Sequence, residues 1–470
     1  MDSALDRAFD RRAMLGLAIA AGLSLPACGR SAPPGTSTPT TLADRDAIAI
    51  ATDAYIFGLP LLLVHATRDA AGPVNIFQHA DYLPSADDRL VVRLNLDTLY
   101  SMAWLDLAAE PMILQVPSVP GGRYWLMQLL DAWTNTVHDP SAPRPGTANP
   151  QGPYTYLITG PGWTGEVPAG VTRLPMPTHT AWLTGRIQIN GRADLPAVHA
   201  VQQELRLAPL PAWLADPHAP TPGLPLPARS LGAGPGKDVA AMDGRTFYDR
   251  LCALMAVDAP APADAPALKR FAAIGIEPGG AVAHYPGATL ATAAAAGRRR
   301  IADYVNPDAR TVNGWRIATD LGSYGTDYLF RAGTAATALG VNLPRDALYP
   351  TTQAVADDNG APRRFRLRFA PGQLPPVDAF WSVTAYDADS YLVANPAHIY
   401  AVGHEIPVVP GPDGSVEIAV QNADPGPAVP RGNWLPIPGS GKFSLTMRLY
   451  APRSDAIEGL WQPPELKPVS

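Results

Sequence analysis

Two cysteines in 470 residues exclude a disulfide framework and a thiolate metal site. No run of Lys and Arg is long enough to neutralise a phosphate backbone, so nucleic acid is not an expected partner. Charged residues make up only 17% and the net charge is −6, with three Arg and three Asp cancelling within residues 1–27. The longest consecutive basic run, Arg298-Arg299-Arg300, reads as the last turn of a helix facing solvent. The signatures H-E-x-x-H, G-x-S-x-G and G-x-x-x-x-G-K-[ST] are missing, as is G-x-G-x-x-G ahead of a helix. Gly234-Pro235-Gly236-Lys237 and Gly439-Ser440-Gly441-Lys442 are incomplete phosphate loops and read as turns. The nine histidines are scattered, and His398 with His404 beside Glu405 is too little for the three or four converging ligands of a metal. No metal and no organic cofactor is expected.

What is abundant is apolar surface and proline. Apolar residues reach 47%, and 53 prolines are roughly twice the usual frequency. Proline fixes φ and lacks an N–H, so it gathers in turns and at element ends. Many short strands joined by long ordered loops fit this composition. The length calls for two or three domains.

The first thirty residues form an export signal in three parts. Arg11-Arg12, followed by Met14 and Leu15, is similar to a twin-arginine export motif, although Asp10 stands where Ser or Thr is commoner. Ala13–Leu23 is an uncharged apolar run, short of the ~20 residues that span a bilayer and of the right size for a signal-peptide core. Leu25-Pro26-Ala27-Cys28 resembles the lipobox of a bacterial lipoprotein, with Cys28 as the lipid attachment site. Residues 28–41, rich in Ser, Thr, Pro and Gly, read as a flexible tether. The expected location is extracytoplasmic and membrane-anchored, periplasm-facing in a Gram-negative cell. Cys252, within Phe247-Tyr248…Leu251-Cys252…Leu254-Met255, reads as a small buried residue.

Along the body, residues 44–59 carry helical spacing that Pro60 kinks or stops. From 90 to 189 the period drops to two: Leu90–Leu94, Met112–Val116, Tyr124–Leu130, Tyr154–Thr159 and Trp182–Ile189 read as strands. Residues 194–207 look helical. Residues 209–237 read as a Pro/Gly-rich linker without regular structure. Helices are expected over 246–256, 264–274, 288–305 and 326–339. Strands return at Arg364–Phe369, Phe380–Tyr386, His398–Ala401, Val416–Val420 and Phe443–Tyr450. Strands segregated from helices argue for an α+β multidomain chain. The expected division is a signal peptide (1–27), a tether (28–41), a β-rich N-terminal domain with a leading helix (42–208), the linker (209–237), a helical middle segment (238–340) and a C-terminal β-sandwich domain (341–470).

Several motifs carry a family resemblance. Asn95-Leu96-Asp97-Thr98-Leu99-Tyr100-Ser101, Gly122-Arg123-Tyr124, Asp131-Ala132-Trp133-Thr134-Asn135 and Gly160-Pro161-Gly162-Trp163 come first. Ala379-Phe380-Trp381-Ser382-Val383-Thr384-Ala385-Tyr386-Asp387, Asn395-Pro396, Asn433-Trp434-Leu435-Pro436 and Arg448-Leu449-Tyr450 follow. Together, from about residue 50 to 465, they resemble the two-domain bacterial family known only as domains of unknown function twelve-fifty-four and twelve-fourteen. The resemblance implies a β-rich N-terminal domain, a helical connection and a jelly-roll-like C-terminal domain, and no reaction. Arg144-Pro145-Gly146-Thr147 and Pro177-Thr178-His179 depart from the family pattern, so a pocket shaped by either segment would take a different ligand.

The candidate chemistry rests on polar residues within apolar strands. Asp97, Asp131 and His398 are candidate proton-transfer groups. Asn95, Tyr100, Arg123, Asn135, Arg186, Trp381, Tyr386 and Asn395 are candidate ligand-binding residues. Buried charges need partners, and Asp97 or Asp131 with Arg123 or Arg186 is the natural pairing. Two functions stay open: a cofactor-independent hydrolase or lyase on a small polar or sugar-like ligand, and a non-catalytic binding or scaffold lipoprotein. Either is compatible with a membrane contact through the lipid, an unidentified small-molecule ligand and a homo-oligomer.

Overall fold

A computed structural model describes residues 44–89, 92–147, 149, 151–226 and 234–469. The expected signal peptide, Cys28 and the tether lie outside them.

Helix Asp44–Ala71 does not stop at Pro60; the proline lies inside its 28 residues. Residues 54–65 are buried without interruption, so the helix is apolar all round and serves as a core element. An interior proline costs about 3 kcal/mol. Burial of Tyr55, Phe57, Leu59, Leu61 and Leu62, each fully covered, offsets it at roughly 1.5–3 kcal/mol per side chain. The length and apolarity would suit a membrane span, yet 83% of its most apolar window is covered by the protein itself. Around it pack helices Gly234–Ala241, Gly244–Val257, Ala265–Ala272, Gly287–Ala302 and Tyr328–Thr337. The leading helix is thus the axis of the helical body rather than an appendage of the first β unit. Cys252 is fully buried there, and burial pushes its thiol pKa up.

The first β unit is two sheets face to face. The six-stranded sheet runs Leu224–Pro225, Gln78–His79, Thr98–Asp106, Thr180–Gln188, Trp125–Asp131, Thr136–His138 in spatial order. The four-stranded sheet runs Thr172–Pro175, Tyr154–Thr159, Met112–Val116, Arg206–Pro209. Alternate residues of both, such as Leu99, Ala103, Leu114, Met127, Tyr156 and Leu183, meet in one core. The stretch read as a structureless linker is built into this unit. Residues 206–209 pair with Met112–Gln115, Leu210–Ala215 is helical, and Leu224–Pro225 pairs with Gln78–His79. Pro209 and Pro225 are accommodated because both strands are sheet edges, where a missing N–H breaks no ladder. Of the strand expected at Leu90–Leu94, residues 90 and 91 lie outside the described ones, and 92–97 form bends, with Arg93 at φ 55°.

The second sandwich pairs a seven-stranded sheet with a four-stranded one. The former runs Arg310–Val312, Trp315–Ile317, Thr351–Val355, Lys442–Tyr450, Trp381–Tyr386, Ala401–Gly403, with Ala347–Leu348 also joined to Lys442–Tyr450. The latter runs Trp434–Leu435, Val416–Gln421, Arg364–Phe369, Leu466–Val469. The first two strands of the seven-stranded sheet, Arg310–Val312 and Trp315–Ile317, come from the span read as helical. The chain is therefore mixed α+β: two β-rich units and a helical body.

Candidate functional site

Strand Lys442–Tyr450 alternates strictly. Leu445, Met447 and Leu449 face the core of the second sandwich, leaving Ser444, Thr446, Arg448 and Tyr450 on the outer face. Trp381–Tyr386 repeats the pattern, with Val383 and Ala385 inside and Ser382, Thr384 and Tyr386 outside. Such a polar face ordinarily meets water. Here it is buried: Ser382 and Thr384 have no exposure and Arg448 has 4%. The cover is the outer face of the six-stranded sheet of the first unit, together with the bent segment 92–97.

That opposing face has two halves. Trp104 and Trp182 stack at 4.7 Å and, with Leu130, lie under Val64 and Ala71 of the long helix. Tyr100, Gln128, Thr184 and Arg186 occupy the other half, toward the second sandwich. Gln128 Oε1 accepts from Arg186 Nη1 at 2.8 Å, Thr184 Oγ1 at 3.0 Å and Asn342 Nδ2 at 3.1 Å. Tyr349 donates its hydroxyl to Asn342 Oδ1 at 2.7 Å. Asn95 bridges the units: its Nδ2 donates to Thr98 Oγ1 at 2.8 Å and Tyr100 Oη at 3.4 Å, and its Oδ1 accepts from Tyr450 Oη at 3.3 Å. Arg448 donates to Thr384 Oγ1 at 2.8 Å, Tyr386 Oη at 2.6 Å and the carbonyls of Arg93 and Leu94. Arg93 in turn reaches Thr446 Oγ1 at 2.9 Å. Burial pushes Tyr450 well above its ordinary pKa and Tyr349 to about 12, so the phenols are neutral hydrogen-bonding groups.

At one side of this layer Asp97, fully buried, ties the two units together. Ser382 Oγ donates to its Oδ2 at 2.7 Å and His404 Nδ1 faces its Oδ1 at 3.3 Å. The latter pair is not aligned as a hydrogen bond, so its attraction is Coulombic. His404 Nε2 meets the Ile189 carbonyl at 2.8 Å. Both ring nitrogens therefore face oxygens, the surroundings of an imidazolium. Burial alone would raise the Asp97 carboxyl, but His404, Arg448 and Ser382 outweigh it and hold it below the usual range. Burial would lower His404, yet Asp97 outweighs it and the imidazole pKa is raised. Ser382 and His404 bind the same carboxylate instead of each other, which is a latch and not a nucleophilic triad.

A second ionic tie joins the units. Arg345 Nε and Nη2 each hold one Asp139 oxygen at 2.6 Å, and Arg144 donates to the buried carboxyl group of Asp346. Burial first, then Asp139, pushes Asp346 up to about 8.

Five residues singled out in the sequence meet in this layer: Asn95, Asp97, Tyr100, Arg186 and Tyr386. The others sit elsewhere. Asp131 caps its own turn, accepting from the backbone of Trp133 at 2.9 Å and Asn135 at 2.8 Å, and from the Asn135 side chain at 2.9 Å. Burial pushes its carboxyl to about 6. It lies five residues along its strand from the position opposite Arg186, ~17 Å away. Arg123 pairs with neither expected carboxylate; its two terminal nitrogens hold Asp194 at 2.6 and 2.8 Å. Trp381 packs beside Phe369 at 5.3 Å. Asn395 ties its own loop through Val393 and Ile399. His398 is exposed at φ 51° beside Tyr400. Sequence reasoning missed Arg93, Gln128, Asn342, Tyr349, His404, Thr446, Arg448 and Tyr450. The signal available was the alternation of polar with core residues in Trp381–Tyr386 and Lys442–Tyr450. Among the described residues, no three His, Cys, Asp or Glu gather as a metal would require.

The family model described as "Protein of unknown function (DUF1254)" matches residues 74–209, and "Protein of unknown function (DUF1214)" matches 346–454. The VPA0106 protein from Vibrio parahaemolyticus has a crystal structure similar to this chain, with a TM-score of 0.66 and 23% identity over 90% of this chain and 100% of that one. This similarity shows a common fold. A crystal structure of an uncharacterized protein from Burkholderia cenocepacia is similar with a TM-score of 0.44 and 13% identity, over 91% and 94% of the two chains. No curated protein matches.

Proposed function

We propose that this chain, a member of the family carrying these two domains of unknown function, is a lipid-anchored envelope protein that binds a small polar ligand where its two sandwiches meet. The observation that carries the binding reading is the polar layer itself. Asn95, Tyr100, Tyr349 and Arg93 are only partly covered, so the buried network of Gln128, Arg186, Arg448 and Tyr450 has an edge at the protein surface. Ligand sites favour such junctions, with a few converging polar groups among aromatic walls. A hydrolase or lyase would need two titratable groups within hydrogen-bond reach in one cleft. Asp97, Asp131 and His398 are in three different surroundings, and the close titratable pair, Asp97 with His404, is buried and engaged as a latch with Ser382, which favours binding without chemistry.

Thermal-shift measurements on the solubilised chain test this. A ligand that binds only the folded state raises the melting temperature. Sugars and small carboxylic acids should include a stabilising ligand whose effect disappears in Asn95→Ala. A flat response across the panel would remove the binding reading. The anchor has its own test: Cys28→Ser should leave the melting temperature unchanged and move the protein from the membrane to the soluble fraction. Continued fractionation of the serine variant with membranes would refute the lipid attachment.

A further inference from the structure

Arg186 occupies the middle of the six-stranded sheet, opposite Tyr100 on one neighbouring strand and Leu126 on the other. It is 8% exposed. All its hydrogen bonds run through Nη1, to Gln128 Oε1 at 2.8 Å and to the hydroxyl and carbonyl of Thr184 at 3.2 and 3.4 Å. Every one of those partners is neutral. Its Nε and Nη2 have no protein partner among the described residues, yet neither is a fully covered atom, so the edge they form touches solvent. This is the edge with which Arg345 grips the Asp139 carboxylate, Nε and Nη2 each at 2.6 Å from one oxygen. Planar side-on pairing of this kind is the strong, orientation-specific mode of guanidinium recognition.

The surrounding charge has the matching sign. Arg93 and Arg448 donate only to hydroxyls and carbonyls among the described residues, and the nearby carboxylate, Asp97, is engaged by His404 and Ser382. Three guanidiniums and an imidazolium thus outnumber the nearby carboxyls, Asp97 and Glu405, the latter with its pKa pushed up by burial, while Asp346, near Tyr349, is held by Arg144. A desolvated cation with only neutral partners is costly, and an incoming anion relieves that cost. The Tyr100 ring lies 5.3 Å from the Arg186 guanidinium carbon and forms one wall of the approach.

Given that the junction binds a small ligand, we propose that the Nε–Nη2 edge of Arg186 receives the carboxylate of a small organic acid. The ligand is therefore an anion, set in register by this fork, and not a neutral sugar.

The test is calorimetric titration of the full, solubilised chain with acetate, succinate and benzoate, each beside its neutral amide, and with inorganic phosphate. At least one acid should bind ten or more times tighter than its amide, a comparison made on the unaltered protein. Arg186→Gln, which retains a hydrogen-bonding side chain, and Arg186→Lys, which retains charge without the fork, should each lose at least tenfold in affinity for that acid. Amides binding as well as acids, independently of Arg186 and dependent on Asn95, would overturn the charge assignment and leave the junction a ligand site. Phosphate binding more tightly than every acid would replace the carboxylate with a tetrahedral oxyanion. Acid binding unaffected by both Arg186 variants would overturn the assignment to this residue. Silence from all the probes would count against both this inference and the binding reading it rests on.

Discussion

Asp97 and His404 form a charged pair with almost no access to water, and removing one partner leaves the other stranded. Breaking a buried pair of this kind costs about 3–5 kcal/mol. Asp97→Asn, which retains an acceptor for Ser382, should fall near the lower end in urea denaturation. The pair also makes stability depend on pH, with opposite signs for its members. His404, its pKa raised on folding, lends stability that is complete below the unfolded value of about 6.5 and fades as pH climbs through the folded one. Asp97, held low, lends its share above about 3.9 and loses it on acidification. The melting temperature should therefore drop more between pH 6.5 and 9 in the unaltered chain than in His404→Gln; parallel curves would mean a neutral imidazole. Asp131 makes the contrasting case. Asp131→Ala should cost about 1–2 kcal/mol, as loss of a capping carboxylate does, and leave ligand affinity unchanged. Asp97 and Asp131 looked alike in sequence, each an aspartate at the end or start of a strand. What separates them is whether the bonding is local, through backbone two and four residues on, or reaches across 285 residues to Ser382.

At the scale of elements, periodicity located much of the fold. Met112–Val116, Tyr154–Thr159 and Arg364–Phe369 are strands at the boundaries that alternation and turn residues set. The failures have a common cause. Pro60 within the long helix, and Pro209 and Pro225 in edge strands, are local stop signals overruled by tertiary position. Of the polar faces of Trp381–Tyr386 and Lys442–Tyr450 only Tyr386 was singled out, because alternation tells which residues share a face, not what covers it. Helix contact is similarly nonlocal. A Cβ at Gly297 would lie 2.7 Å from the Tyr55 ring, so helix Gly287–Ala302 approaches the long helix as closely as it does only through glycine. Gly297→Val should cost about 1–3 kcal/mol by overpacking, measurable in a thermal melt. An unchanged melt would show that Tyr55 has room to move.

For the whole molecule, the two sandwiches depend on each other. The outer face of the C-terminal one carries Arg448, Thr384 and Ser382, whose partners or cover come from residues 93–97. Its seven-stranded sheet also begins at Arg310. A fragment of residues 341–470 should accordingly unfold without cooperativity in calorimetry, whereas a single sharp transition would mark the sandwich as self-sufficient. The long helix has a consequence of another kind. It is synthesised first among the described elements, but most of its packing partners, from Gly234 to Thr337, emerge 160 or more residues later. At ~5–20 residues per second that delay is on the order of tens of seconds. Through that interval a nascent chain displays a 28-residue apolar helix with most of its cover still to be made. Whatever first meets the ribosome during those seconds, a chaperone or a translocation channel that reads apolar helices as spans, decides whether the segment becomes the axis of a folded body or stays in a bilayer.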